Sequence, residues 1–206
     1  MTTTAMTSAS APARTGLRAL IPVGVPLTER HWEQRHRLIL VVLALHLPIL
    51  GAMAVLGGHL RQAGMLALTE FLVLVLVPGL VALASRNRGL ASGAAALALL
   101  GTSATMVELL GGSTSAHFSF FVSLAFIALY QSWPVFLLAV GFTAVHHLTM
   151  AIMMPEHLFT AGSPEAHSPV LWALVAALQV AAFVLLVAVL RRRRHDAAGG
   201  VVLADE

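Results

Sequence analysis

The chain contains no cysteine and no lysine, and only 10% of its 206 residues are charged. The absence of cysteine excludes disulfides and thiolate metal sites. A soluble domain carries roughly 25% charged residues, so the low charge argues against that class. Because lysine is absent, all twelve basic residues are arginine, and they flank apolar stretches instead of lining one face. The sequence therefore predicts no nucleic-acid partner, despite a pI near 11.0.

Long apolar stretches dominate what is present. The chain is 58% hydrophobic, with a mean hydropathy of +0.88. Windows of about 20 apolar residues predict transmembrane helices. We predict an all-α polytopic membrane protein, a bundle of six transmembrane helices at Leu38–Val55, Met65–Ala84, Leu90–Leu110, His117–Tyr130, Pro134–Met154 and Val170–Leu190. Pro48 and Pro78 lie inside the first two spans and are expected to kink them.

The flanking composition sets the domain boundaries. Residues 1–28 are rich in Thr, Ser, Ala and Pro and are predicted to be a disordered lead; Pro22 and Pro26 interrupt its apolar run, which argues against a signal peptide. Residues 29–194 form the six-helix domain, and Thr28 can cap a short helix through Trp32 before the first span. Residues 195–206 are predicted to be a short cytoplasmic tail.

The arginines predict the orientation and a plasma-membrane location. With the N-terminus inside, only Arg61 faces outward, and the external loop is residues 155–169. The positive-inside rule therefore places both termini in the cytoplasm. The eleven inward arginines are Arg14, Arg18, Arg30, Arg35, Arg37, Arg86, Arg88 and Arg191 to Arg194.

Ionisable residues inside apolar spans are costly and mark candidate sites. Six such residues are the predicted metal ligands: His46, His117, His146, His147, Glu70 and Glu108. Counting helical rise places all except His46 in the outer half of the bundle. His and Glu ligands suit zinc, iron or manganese, whereas the face of His146, Met150 and Met154 suits Cu(I). The alternative role of each histidine is an interhelical hydrogen bond. His59, His157 and His167 are expected to be solvated.

Several motifs carry a resemblance to a known family. They are Gly111–Gly112, HFSFFV at 117–122, LYQSW at 129–133, FLLA at 136–139, His146–His147, WALV at 172–175, AFV at 182–184 and LHLP at 45–48. This pattern resembles the six-helix sensory module at the N-termini of bacterial diguanylate cyclases, histidine kinases and chemoreceptor-like chains. That family carries further histidines where this chain has Ser119, the segment Phe159–Ala161, and Ala176. The resemblance thus implies a cofactor site that is remodelled or lost here.

The resemblance implies a stand-alone membrane sensory or ligand-binding module, or an excerpt of a longer protein. It would bind a copper, zinc or iron ion or haem in the outer half and signal through a cytoplasmic or membrane output partner. It could also form a homo-oligomer. The alternatives are a small metal or proton transporter, or a structural protein with a decayed site. An enzyme is less favoured, because neither Glu70 nor Glu108 begins a Glu-x-x-His motif.

Overall fold

The computed structural model describes residues 27–56, 64–172 and 174–184, and these form helices with no β-strand among them. In chain order, the helices are α1 (Glu29–Leu56), α2 (Gly64–Ala84), α3 (Arg88–Leu109), α4 (Thr114–Ile127), α5 (Trp133–Met153) and α6 (Pro169–Val184). A 3-10 turn, Ala128–Tyr130, extends α4. Helices α1, α2, α3 and α5 are long and apolar enough to cross a membrane.

The all-α class and the membrane-type helices are therefore confirmed. Helices α4 and α6 overlap the fourth and sixth predicted spans but are shorter than the other four helices, so the count of six spans stays a prediction, as does the orientation. Some predictions lie outside the described residues. They are most of the N-terminal lead, His59, Arg61, the Arg191–Arg194 run and the 195–206 tail.

Helix α1 differs from its prediction because it has no break before the first span. It runs for 28 residues from Glu29, so the predicted short helix and the span are one element. Thr28 does cap it, since its hydroxyl accepts the His31 backbone N–H at 3.4 Å. Neither proline nor glycine occurs between Thr28 and Leu38, and nothing local interrupts the helix.

Helix α3 is the centre of the bundle. Of its 22 residues, 17 are buried, and most of those are Ala, Gly, Ser or Thr. Small side chains let neighbouring helix backbones approach closely, and hydroxyls can bond across the contact. Ser103 Oγ lies 2.9 Å from Ser123 Oγ of α4, a hydrogen bond buried between the two helices. The small-residue sequence of α3 thus explains why the other helices gather around it.

Helix α2 contains a π-helical segment, Phe71–Leu76, in which the Val77 N–H donates to the carbonyl of Leu72. Pro78, the residue after Val77, lacks the N–H that would otherwise bond the Leu74 carbonyl. Gly101 of α3 packs on that same carbonyl so closely that a Cβ would collide with the Leu74 backbone. Glu70 immediately precedes the segment, a placement common for functional residues because π turns shift the helix face.

The stretch predicted as an external loop carries some helix. Pro155–Leu158 is one helical turn, and Glu165–His167 is a 3-10 turn. We call residues 155–160 the cap segment, because they pack on the turn between α3 and α4. A Cβ on Gly112, where φ is +71°, would lie 2.6 Å from the Phe159 backbone. Thr160 N–H also donates to the Gly112 carbonyl at 3.2 Å.

At the other end of the bundle, polar side chains tie α1 to its neighbours. Trp32 Nε1–H donates to Ser92 Oγ at 2.9 Å. His36 Nε2–H donates to the Ala82 carbonyl at 3.2 Å, which leaves Nδ1 to accept the Tyr130 hydroxyl at 2.7 Å. The arginine-rich end of α1 is therefore part of the packed bundle.

Candidate functional site

His117 of α4 and His147 of α5 face each other, with ring centroids 5.5 Å apart. Each Nδ1 lies near the carbonyl four residues earlier: Ser113 for His117, at 3.0 Å, and Thr143 for His147, at 2.9 Å. Because a carbonyl only accepts, each Nδ1 carries the proton and each Nε2 keeps its lone pair. His117 Nε2 is buried and has no hydrogen-bond partner among the described residues.

These two imidazoles line a cavity of about 240 Å³ between α4, α5, α6 and the stretch that follows α5. Phe159 of the cap segment stacks on His117, with ring centroids 5.5 Å apart. Glu165 contributes the carboxylate of the lining, and Trp172 and Gln179 contribute from α6. The cavity therefore offers two imidazole lone pairs, one carboxylate and an otherwise largely apolar wall.

His146 points away from this cavity, as the 100° step between consecutive helical residues requires. Its Nε2 lies 3.3 Å from Glu70 Oε1. Both side chains are buried, at 13% and 9% exposure. Glu70 Oε2 and His146 Nδ1 have no hydrogen-bond partner among the described residues.

Glu108 helps to attach the cap segment to α3. Its Oε1 accepts a hydrogen bond from His157 Nδ1 at 2.7 Å, and its side chain is only 4% exposed. The expectation that His157 is solvated was therefore wrong in part, since its Nδ1 is hydrogen-bonded to a buried carboxylate. His167, in contrast, is exposed and bonds the Ser163 carbonyl.

His46 is placed apart from the other candidates. Its Nδ1 lies 2.7 Å from the carbonyl of Val42, one turn earlier in α1, and the ring is half-buried. Among the residues that the structure describes, no three His, Asp or Glu side chains stand close enough to hold an ion. The six predicted ligands thus resolve into the His117–His147 pair, the Glu70–His146 pair, and two residues with other partners.

Sequence reasoning missed the contributions of Glu165, His157 and Phe159. Glu165 lies in the long polar stretch, where no periodicity indicates a face. No local sequence pattern links His157 to Glu108, because the two residues are 49 positions apart in the chain. The sequence does contain one indication of the cap contact, the pair Gly111–Gly112, because glycine permits the close approach of another backbone.

The resemblance implies histidines at three places where this chain has Ser119, the segment Phe159–Ala161 and Ala176. Phe159 and Ala176 line this cavity, whereas Ser119 bonds the Ala116 carbonyl of its own helix.

Comparison with known proteins finds similarity to a transducer protein. The chain is 29% identical over 176 residues to Transducer protein Htr8 of Halobacterium salinarum, a match that covers 81% of this chain and 27% of that protein. The chain therefore spans about a quarter of the length of this relative. No protein-family model matches the chain, and no solved structure matches it.

Proposed function

We propose that this chain is a membrane sensory module whose ligand binds in the His117–His147 cavity and whose output passes to a signalling partner. The observation that carries the proposal is the pair of imidazoles, His147 buried and His117 half-buried, each fixed through Nδ1 and each with a lone pair on Nε2. Similarity to a transducer over four-fifths of the chain supports a signalling role. The apolar helices support placement in a bilayer.

The ligand that suits these groups best is a transition-metal ion. Metal-bound histidines usually donate their second ring N–H to a carbonyl or carboxylate, which fixes tautomer and orientation. Two imidazoles on one tetrahedral ion have centroids about 5 Å apart, given metal–nitrogen bonds of about 2.0 Å. The observed 5.5 Å is compatible with that arrangement. Water would supply the remaining ligands, since Glu165 does not stand close enough to join the two histidines.

Haem fits less well than an ion. The cavity of about 240 Å³ is smaller than the roughly 300–1,000 Å³ typical of sites for larger organic ligands. A porphyrin would have to displace Phe159 from His117 and move α6 outward. An ion is therefore the proposed ligand. Haem is the alternative, and its visible absorbance would distinguish it from an ion.

The output would run through α6. Trp172, Val175 and Gln179 line the cavity, so an ion there changes what this helix packs against. A ligand shifts an equilibrium only through different contacts in the two states. We place the six spans with both termini in the cytoplasm, supported by the arginine distribution. The far end of α6 would then face the cytoplasm, where an output partner can respond.

Elemental analysis and visible spectroscopy of detergent-purified protein test the proposal. We expect about one equivalent of copper, zinc or iron per chain, or uptake of one equivalent of added Zn²⁺ by metal-free protein. The His117→Asn and His147→Asn variants should each lose this metal binding. His167→Asn is the matched control, because His167 makes the same bond to the carbonyl four residues earlier but does not line the cavity.

Protein without metal or a Soret band, and without affinity for added ions, would overturn the cofactor part of the proposal. Equal loss in the His167→Asn control would show non-specific surface binding, which also counts against it. A liposome flux of Zn²⁺ or protons would favour the transporter alternative instead.

A further inference from the structure

A second cavity, independent of the one between His117 and His147, lies in a groove between α2, α3 and α5. The groove encloses about 440 Å³ and is lined by Leu97 and Leu138 and by the exposed Val145. Glu70 and His146 also line this groove. Because Val145 is 66% exposed on an apolar helix, the groove opens towards the hydrocarbon of the bilayer.

Besides the Thr149 hydroxyl, the polar groups in this groove are Glu70 and His146. With Glu70 ionised and His146 neutral, His146 Nε2–H donates to Glu70 Oε1, and both His146 Nδ1 and Glu70 Oε2 are then acceptors. Neither atom has a partner among the described residues, although each is buried. A buried acceptor without a donor is destabilising. The groove therefore selects a molecule that donates hydrogen bonds.

The surroundings narrow the chemistry of that molecule. It must dissolve in the bilayer, since the rest of the lining is almost entirely apolar. The Phe142 ring lies 5.7 Å from the His146 ring, which favours a flat aromatic body beside them. An acyl chain would leave both acceptors unpaired. A Cu(I) ion on His146 and Met150 would leave Glu70 unpaired, because a carboxylate is a hard ligand.

We infer that the groove between α2 and α5 binds the head of a lipid-soluble quinol, whose two hydroxyls donate to Glu70 and His146. The oxidised quinone carries two carbonyl acceptors in place of the hydroxyls. It cannot satisfy the two acceptors of the groove, so the site prefers the reduced form.

The test is equilibrium binding of decylubiquinol and decylubiquinone to the full chain in phosphatidylcholine nanodiscs under argon. The chain is first freed of metal with EDTA, so the result does not depend on the ion site. Empty nanodiscs report partition into lipid. We expect saturable binding of one quinol per chain and at least about tenfold weaker binding of the quinone. No saturable binding, or equal affinity for the two forms, would overturn the inference.

The Glu70→Gln variant sharpens the test, because its amide replaces one acceptor by a donor. We expect weaker quinol binding and a smaller preference for the reduced form. Glu108→Gln is the matched control, a buried carboxylate that bonds His157 and lies outside the groove. An unchanged preference in Glu70→Gln would contradict the inference. If that variant does not fold, the ratio of quinol to quinone affinity for the unaltered chain still decides.

Discussion

Phe159 stacks on His117 with ring centroids 5.5 Å apart and an interplanar angle of 17°. The contact joins the cap segment to α4, and Phe159 is itself only 7% exposed. The backbone at Phe159 rests on Gly112, and the neighbouring His157 is bonded to Glu108. One wall of the cavity is therefore held by three separate contacts of the cap segment, with the start of α4, with the turn between α3 and α4, and with the end of α3.

Phe159→His should strengthen metal binding. The substitution places a third imidazole against His117 and His147, and three histidines are a common zinc set. We expect Zn²⁺ affinity to rise by at least about tenfold, the lower end of what even outer-shell partners contribute. Competition with a coloured chelator measures the change. The same substitution in a His147→Asn chain is the control, and a gain that persists there would place the ion elsewhere.

His157→Ala should lower the thermal stability of the detergent-solubilised protein. It leaves the Glu108 carboxylate, 4% exposed, without the donor that now bonds it. The expected cost is about 1–3 kcal/mol. Adding Glu108→Gln should restore part of that loss, because a neutral amide is cheaper to bury than a carboxylate. If the two substitutions change the free energy of unfolding additively, the His157–Glu108 pair contributes no interaction energy.

Gly112→Ala should destabilise the protein more than Gly111→Ala does. Both glycines have positive φ, +71° and +57°, so both variants pay a backbone cost of about 1–3 kcal/mol. Only a Cβ at Gly112 meets the backbone of Phe159, whereas one at Gly111 meets nothing within 4 Å. Melting temperatures of the two variants isolate the clash. Equal melting temperatures would mean that the cap segment moves away at no cost.

The arginine distribution predicts that both termini are cytoplasmic. Alkaline phosphatase is active only outside and a green fluorescent reporter only inside, so fusions at the C-terminus distinguish the two sides. We expect fluorescence and no phosphatase activity. Replacement of Arg86 and Arg88 by Ala, with arginines added at the external stretch 161–164, should weaken that bias. Phosphatase activity in the unaltered chain would contradict the orientation.

Much of the fold was predictable because membrane helices obey a simple physical rule. In hydrocarbon every backbone polar group must be paired within its own segment, so apolar length alone identifies a helix. The spans of α2, α3 and α5 were predicted within a few residues of their observed ends. The start of α1 was predicted less well, because its first turns are polar and lack apolar length.

The site was predictable only as a set of residue types. Burial cost singled out Glu70, Glu108 and the histidines. Their partners were not predictable, since Glu70 and His146 are 76 positions apart and His157 and Glu108 are 49 apart. Such contacts depend on how helices pack, and packing follows from the small residues of α3 across the whole bundle.

An all-α membrane chain with costly ionisable residues inside it could be inferred from the sequence, because hydrophobic length and burial cost are properties of single segments. The packing of the helices was needed to show that His117 and His147 share one cavity while His146 pairs with Glu70 in another. It also decided that Phe159 stacks on His117. Those relationships arise between distant segments, where close packing leaves few alternative neighbours for each side chain.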